Sequence, residues 1–96
     1  MTNDRKHYIK LTEGQFQTLK RLTSGPPDLQ TDRTRSLAKG LELNQVDSSG
    51  RHRVALTTED LVTARYIFEV HALQNGTGHL WRFLREYGHL IGPDSV

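Results

Sequence analysis

Apolar positions along the 96 residues fall into short periodic groups, separated by polar stretches that carry Gly and Pro. Tyr8-Ile9-Lys10-Leu11 reads as a short extended lead-in. Thr12 then stands as a helix N-cap with Gln15 three residues on, and Leu11 and Phe16 take the two positions of a hydrophobic staple. Phe16, Leu19 and Leu22 recur at helical spacing, and Ser24-Gly25-Pro26-Pro27 supplies a stop, so the first helix is predicted over 13–24. A second helix is predicted over 31–39, capped by Thr31 or Asp28, with Leu37 and Ala38 inward and Gly40 as its end.

Beyond Gly40 the period becomes extended. Leu41 and Leu43 share one face and Val46 falls out of phase near a turn. Asp47-Ser48-Ser49-Gly50 has turn chemistry, and 51–56 returns with Val54 and Leu56 inward. These segments predict a β-hairpin with arms of about six residues. Leu56-Thr57-Thr58-Glu59-Asp60-Leu61 repeats the cap-and-staple grammar of the first helix, opening a third over 58–74. Leu61, Ala64, Phe68 and Ala72 form its stripe. Val62, Tyr66, Ile67, Val70 and Leu73 widen the apolar surface, which fits either a deeply buried helix or one facing a second partner. After Asn75-Gly76-Thr77-Gly78, a fourth helix is predicted over 79–88 from Leu80, Phe83, Leu84 and Tyr87, closed by Gly88 and Gly92-Pro93. The expected fold is mainly α with a two-stranded hairpin, in the order α-α-β-β-α-α. It forms one domain over 7–90 with flexible tails at 1–6 and 91–96.

Composition narrows the chemistry. With 34% apolar and 25% charged residues the chain can bury a modest core, and its length leaves no room for a second. No apolar run approaches the roughly 20 residues that span a bilayer. The polar start Met1–His7 has no secretory-signal pattern, so a cytoplasmic location is expected. The absence of Cys excludes disulfides and thiolate chemistry. No two of the five His form a His-x-x-x-His or similar helical pair with a nearby carboxylate, so no metal site is expected. No nucleophile elbow, paired-carboxylate motif or phosphate loop is present, and neither an enzyme nor a small-molecule cofactor is expected. A net charge of +2 is weak guidance to partners; the local run of Arg33, Arg35, Lys39, Arg51 and Arg53 says more.

Arg33-Thr34-Arg35-Ser36-Leu37-Ala38-Lys39-Gly40-Leu41, followed by a hairpin ending Val54-Ala55-Leu56-Thr57, resembles the winged helix-turn-helix family. There a recognition helix ends in Gly-Leu, and a two-stranded wing runs through Leu-Thr into the next helix. The resemblance covers about residues 9–72. Pro26–Gln30 leaves space only for a turn where the family has another helix, so the unit is abbreviated, and Asp60 stands where the family often has Gly. The resemblance implies a small bacterial or phage-type transcriptional regulator that binds double-stranded DNA.

On this reading helix 31–39 enters the major groove and hairpin 41–56 is the wing. Arg33, Thr34, Arg35 and Lys39 meet bases and phosphates, because Arg can read guanine and Thr several base edges. Arg51, His52 and Arg53 meet the backbone or an adjacent minor groove. Tyr66, Ile67, Val70, Leu73, Trp81 and Phe83 form a homodimer surface. The alternative is a protein–protein adaptor on the same scaffold without DNA binding.

Overall fold

The computed structural model describes residues 6–24 and 31–91. Its elements are β1 (Lys6–Leu11), α1 (Glu13–Thr23), α2 (Asp32–Glu42), β2 (Gln45–Val46), β3 (His52–Thr57), α3 (Thr58–Asn75) and α4 (Gly78–Ile91). The fold is mainly helical with a small antiparallel sheet. The sheet has three strands, ordered β1-β3-β2, where a two-stranded hairpin was expected. The lead-in is a full strand: β1 pairs with β3 from Lys6↔Thr57 to Leu11↔His52.

Three helices start as the sequence dictates. The Thr12 hydroxyl accepts from the Gln15 N–H while Gln15 Oε1 accepts from the Thr12 N–H. Thr31 with Thr34, and Thr57 with Asp60, form the same reciprocal capping box. Three boundaries differ from expectation. Helix α2 continues through Gly40 to Glu42, because Leu37 and Leu41, one turn apart, are both buried and hold its last turn on the core. That shortens β2 to two residues and leaves Leu43 exposed while Leu41, expected on the same face, is buried. Helix α4 runs past Gly88 to Ile91, which is buried and so belongs to the core, not to a tail. The Gly25-Pro26-Pro27 stop, the Asp28 cap, the turn at 26–30 and the Gly92-Pro93 end lie outside the described residues.

The inner face of the sheet, Ile9, Leu11, Val54 and Leu56, packs on Phe16, Leu19, Leu37, Leu41, Leu61, Ala64, Phe68 and Phe83. Gly40 is the contact that fixes α2 against the sheet. A Cβ there would stand 2.5 Å from Leu56 Cδ2, so any larger residue would force the Leu56 side chain to shift. Helix α4 seals the free edge of β1, where the Tyr87 hydroxyl accepts from the Lys10 N–H (2.7 Å) and donates to the Lys10 carbonyl (3.0 Å).

Candidate nucleic-acid interface

Helix α2 is held from behind at several points. Leu37 and Leu41 are buried, Gly40 abuts Leu56, and the Ser36 hydroxyl donates to Asp60 Oδ1 at 2.7 Å. Asp60 is itself buried and caps α3, so one carboxylate couples the two helices. The helical period then puts Asp32, Arg35, Lys39, Glu42 and Leu43 on the side away from the core, with Ser36 on the flank towards α3. Asp32, Arg35, Ser36 and Lys39 line a surface hollow of about 330 Å³. Arg35 Nη2 lies 2.7 Å from Asp32 Oδ1, an exposed pair within the row. Leu43, at the helix end, is 77% exposed and lines a second hollow with Tyr8, Gln45 and Arg53.

The seven residues expected at DNA separate into distinct environments. Arg35 and Lys39 share the outer row. Arg33 is exposed but lines a different groove of about 470 Å³, between the start of α2 and Val62, Thr63 and Tyr66 of α3. Thr34 is occupied in the α2 capping box, its hydroxyl donating to the Thr31 carbonyl. Arg53 is exposed on the outer face of the sheet.

Arg51 and His52 are corrections to the expected wing contacts. Arg51 turns back from the turn, and its Nη2 donates to the Lys10 carbonyl (2.9 Å) and to Glu86 Oε1 of α4 (3.1 Å). His52 is only 7% exposed, on the same face as Val54 and Leu56. Its ring stacks on Phe16 at 4.0 Å, while Nε2 meets Glu13 Oε1 (2.6 Å) and Nδ1 meets Asn44 Oδ1 (3.0 Å). The hydrogen bond from His52, and secondly that from Gln17, hold the Glu13 carboxyl below its ordinary value.

The turn itself is built around Asp47. Its Oδ1 accepts from the Ser49 hydroxyl, the Ser49 N–H and the Arg51 N–H, and Gly50 takes a φ of 83°. The Ser49 hydroxyl first, then the Arg51 N–H, push the Asp47 carboxyl far below the usual carboxylate range. The tip therefore presents Ser48, Ser49 and Gly50, with no cation directed outward from it.

The expected dimer surface also divides. Ile67 and Phe83 are core residues, Phe83 fully so, with the Phe83 ring of α4 5.2 Å from that of Phe68 on α3. Tyr66, Val70 and Leu73 remain exposed at i, i+4 and i+7 of α3, and Trp81 is exposed on α4.

The sequence reading missed two features. Tyr8 is 82% exposed on the sheet, which the alternation from Lys6 to Leu11 could have revealed. His71 and His79, on different helices, approach to 5.4 Å between ring centroids. Burial first, then the neighbouring His71, pushes the His79 imidazole below its ordinary value. No group of three or more metal-ligating side chains occurs among the described residues. No described helix is long and apolar enough to cross a membrane. The chain matches no protein-family model, no curated protein and no solved structure.

Proposed function

We propose that the chain binds duplex DNA through the outer row of α2, as a small regulator of winged helix-turn-helix type. The observation that carries this reading is the mounting of α2. A helix fixed by Leu37, Gly40 and Leu41 turns Arg35 and Lys39 outward, in a row that ends at Leu43 beside Arg53. A rigid helix displaying Arg and Lys in one row suits a major groove, where Arg reads guanine and Lys meets phosphate. The order of strands and helices, with α1 and α2 between the first and second strands of a β1-β3-β2 sheet, is compatible with a winged unit. Arg51 and His52 fall out of the contact set, and Arg33 and Thr34 lie off the row, which leaves Arg35, Lys39 and Arg53. Such a role implies a cytoplasmic location.

The apolar row Tyr66, Val70 and Leu73 offers a second copy of the chain a two-fold surface. Duplex half-sites one turn apart need recognition helices about 34 Å apart. The protomer, 36 × 28 × 27 Å, is of a size to supply that spacing as a pair.

Fluorescence anisotropy with a random-sequence duplex, from 50 to 200 mM salt, tests the reading. With these three cations at phosphates, log K should fall against log salt with a slope of about −2.7. R35A/K39A should flatten the slope by roughly 2. Absence of binding at 50 mM salt, or an R35A/K39A variant that binds like the parent, would refute it.

One observation favours the adaptor reading. Asp32 and Glu42 alternate with Arg35 and Lys39 on the outward side of α2, so that side is charge-balanced. A protein partner would then use the apolar row of α3, and V70D would abolish its binding while no duplex bound.

A further inference from the structure

We propose that the outer face of the three-stranded sheet is a docking surface for a single nucleic-acid strand, with Tyr8 as its stacking platform. This goes beyond the duplex reading and stands without it. Directly opposed residues of an antiparallel pair point to the same side. The register therefore puts Lys6, Tyr8 and Lys10 of β1 on one face with Thr57, Ala55 and Arg53 of β3. Gln45 of β2, opposite Arg53, completes it. This face carries three cations and one aromatic ring, and one carboxylate reaches it from the turn.

Asp47 reaches Lys10 Nζ from the turn at 3.4 Å, whereas Lys6 and Arg53 form no ion pair among the described residues. Tyr8 stands opposite the small Ala55 in the register, diagonal to Arg53. Leu43 and Gln45 close a hollow of about 180 Å³ beside these residues.

An aromatic ring left 82% exposed, with Arg53 in its hollow and Lys6 and Lys10 on the same face of its strand, is suited to a partner with both π-faces and negative charge. A single strand has both: unpaired bases stack on Tyr while phosphates meet Lys and Arg. In a duplex the base faces are already stacked and unavailable. A peptide adding as an extra strand is disfavoured, because Tyr87 already occupies the Lys10 N–H and carbonyl at the β1 edge and β2 is only two residues long. Docking is left to the face.

The test uses the full chain and a fluorescein-labelled 12-nucleotide oligothymidylate, followed by anisotropy. Three phosphate contacts to a single strand give an expected salt slope near about −2. Y8A should weaken binding by roughly 5- to 150-fold, the range for losing one stacked base. Y8F should restore it, since the ring and not the hydroxyl does the stacking. R53A should weaken binding and lower the slope. R35A/K39A should leave oligothymidylate binding unchanged, which separates this surface from the outer row of α2. Because Tyr8 is solvent-exposed, Y8A should melt within a few degrees of the parent, and circular dichroism checks this. The proposal is overturned if Y8A binds oligothymidylate like the parent. It is also overturned if polyglutamate competes as well as unlabelled oligothymidylate, since the face would then read charge alone, as for an acidic peptide.

Discussion

Gly40→Ala puts two opposing effects in competition at the joint between α2 and the sheet. In a helix interior, Ala is favoured over Gly by about 1 kcal/mol. Against this, the added Cβ would lie 2.5 Å from Leu56 Cδ2 and 3.5 Å from the Ala55 carbonyl oxygen. Leu56 is completely buried in the middle of the core, so its methyl group has no open space to enter. Overpacking of this kind costs typically about 1–3 kcal/mol. The net expectation is a loss of roughly 1 kcal/mol, or about 4–8 °C in Tm for a domain this size. Urea denaturation with parallel thermal melts measures it. A double-mutant cycle isolates the contact. L56A alone should cost about 2–5 kcal/mol for the cavity it leaves. Within L56A the Gly40 substitution should become stabilising, giving a coupling energy of about 1–3 kcal/mol. A G40A protein about 1 kcal/mol more stable than the parent, with no coupling to Leu56, would refute the close approach and with it the mounting of α2.

Asp60→Ala removes both the α3 capping box and the bond from Ser36, and should cost about 2–3 kcal/mol. Thr57→Ala, which removes only the cap, should cost about 1 kcal/mol, so equal losses in urea titrations would deny the link between α2 and α3. Glu13, depressed by His52, contributes stability that is present above its ordinary value of 4.5 and lost as pH falls through the lower folded value. The acid limb of the melting profile should therefore be shallower in E13Q than in the parent. His79 also has a lowered folded pKa, so it supports folding fully above 6.5 and progressively less as pH falls below that. H71Q removes the second cause of the shift and should reduce this dependence in melts between pH 7.5 and 5.

What could be read from sequence was local, and what could not was carried by distant partners. The caps at Thr12, Thr31 and Thr57 and the turn at Asp47 were legible because each completes its hydrogen bonds within four residues. The end of α2 was not. Gly40 looks like a stop until Leu56, sixteen positions away, demands a glycine inside the helix. Strand β1 finds its pairing partner some forty to fifty residues downstream, so the extended lead-in was legible but its pairing into a third strand was not.

The candidate site failed for the same reason at its hairpin end. Arg51 answers to Glu86 and His52 to Glu13 and Phe16, all far off in sequence. His52 did carry one readable sign, since it alternates in phase with Val54 and Leu56 and so belongs to the inner face. On α3 the apolar surplus could be counted but not apportioned. Only the path of α4 decides that Ile67 and Phe83 are core while Tyr66, Val70 and Leu73 face outward.

Amide chemical-shift mapping during titration with a short duplex tests, residue by residue, the proposed contact of the outer row of α2 with DNA. The largest shifts are expected at Asp32, Arg35, Ser36, Lys39 and Leu43, with Arg53 following and the Arg51 and His52 side chains keeping their partners. A titration in which these amides stay still while Tyr66, Val70 and Leu73 move, or in which nothing moves, would contradict it.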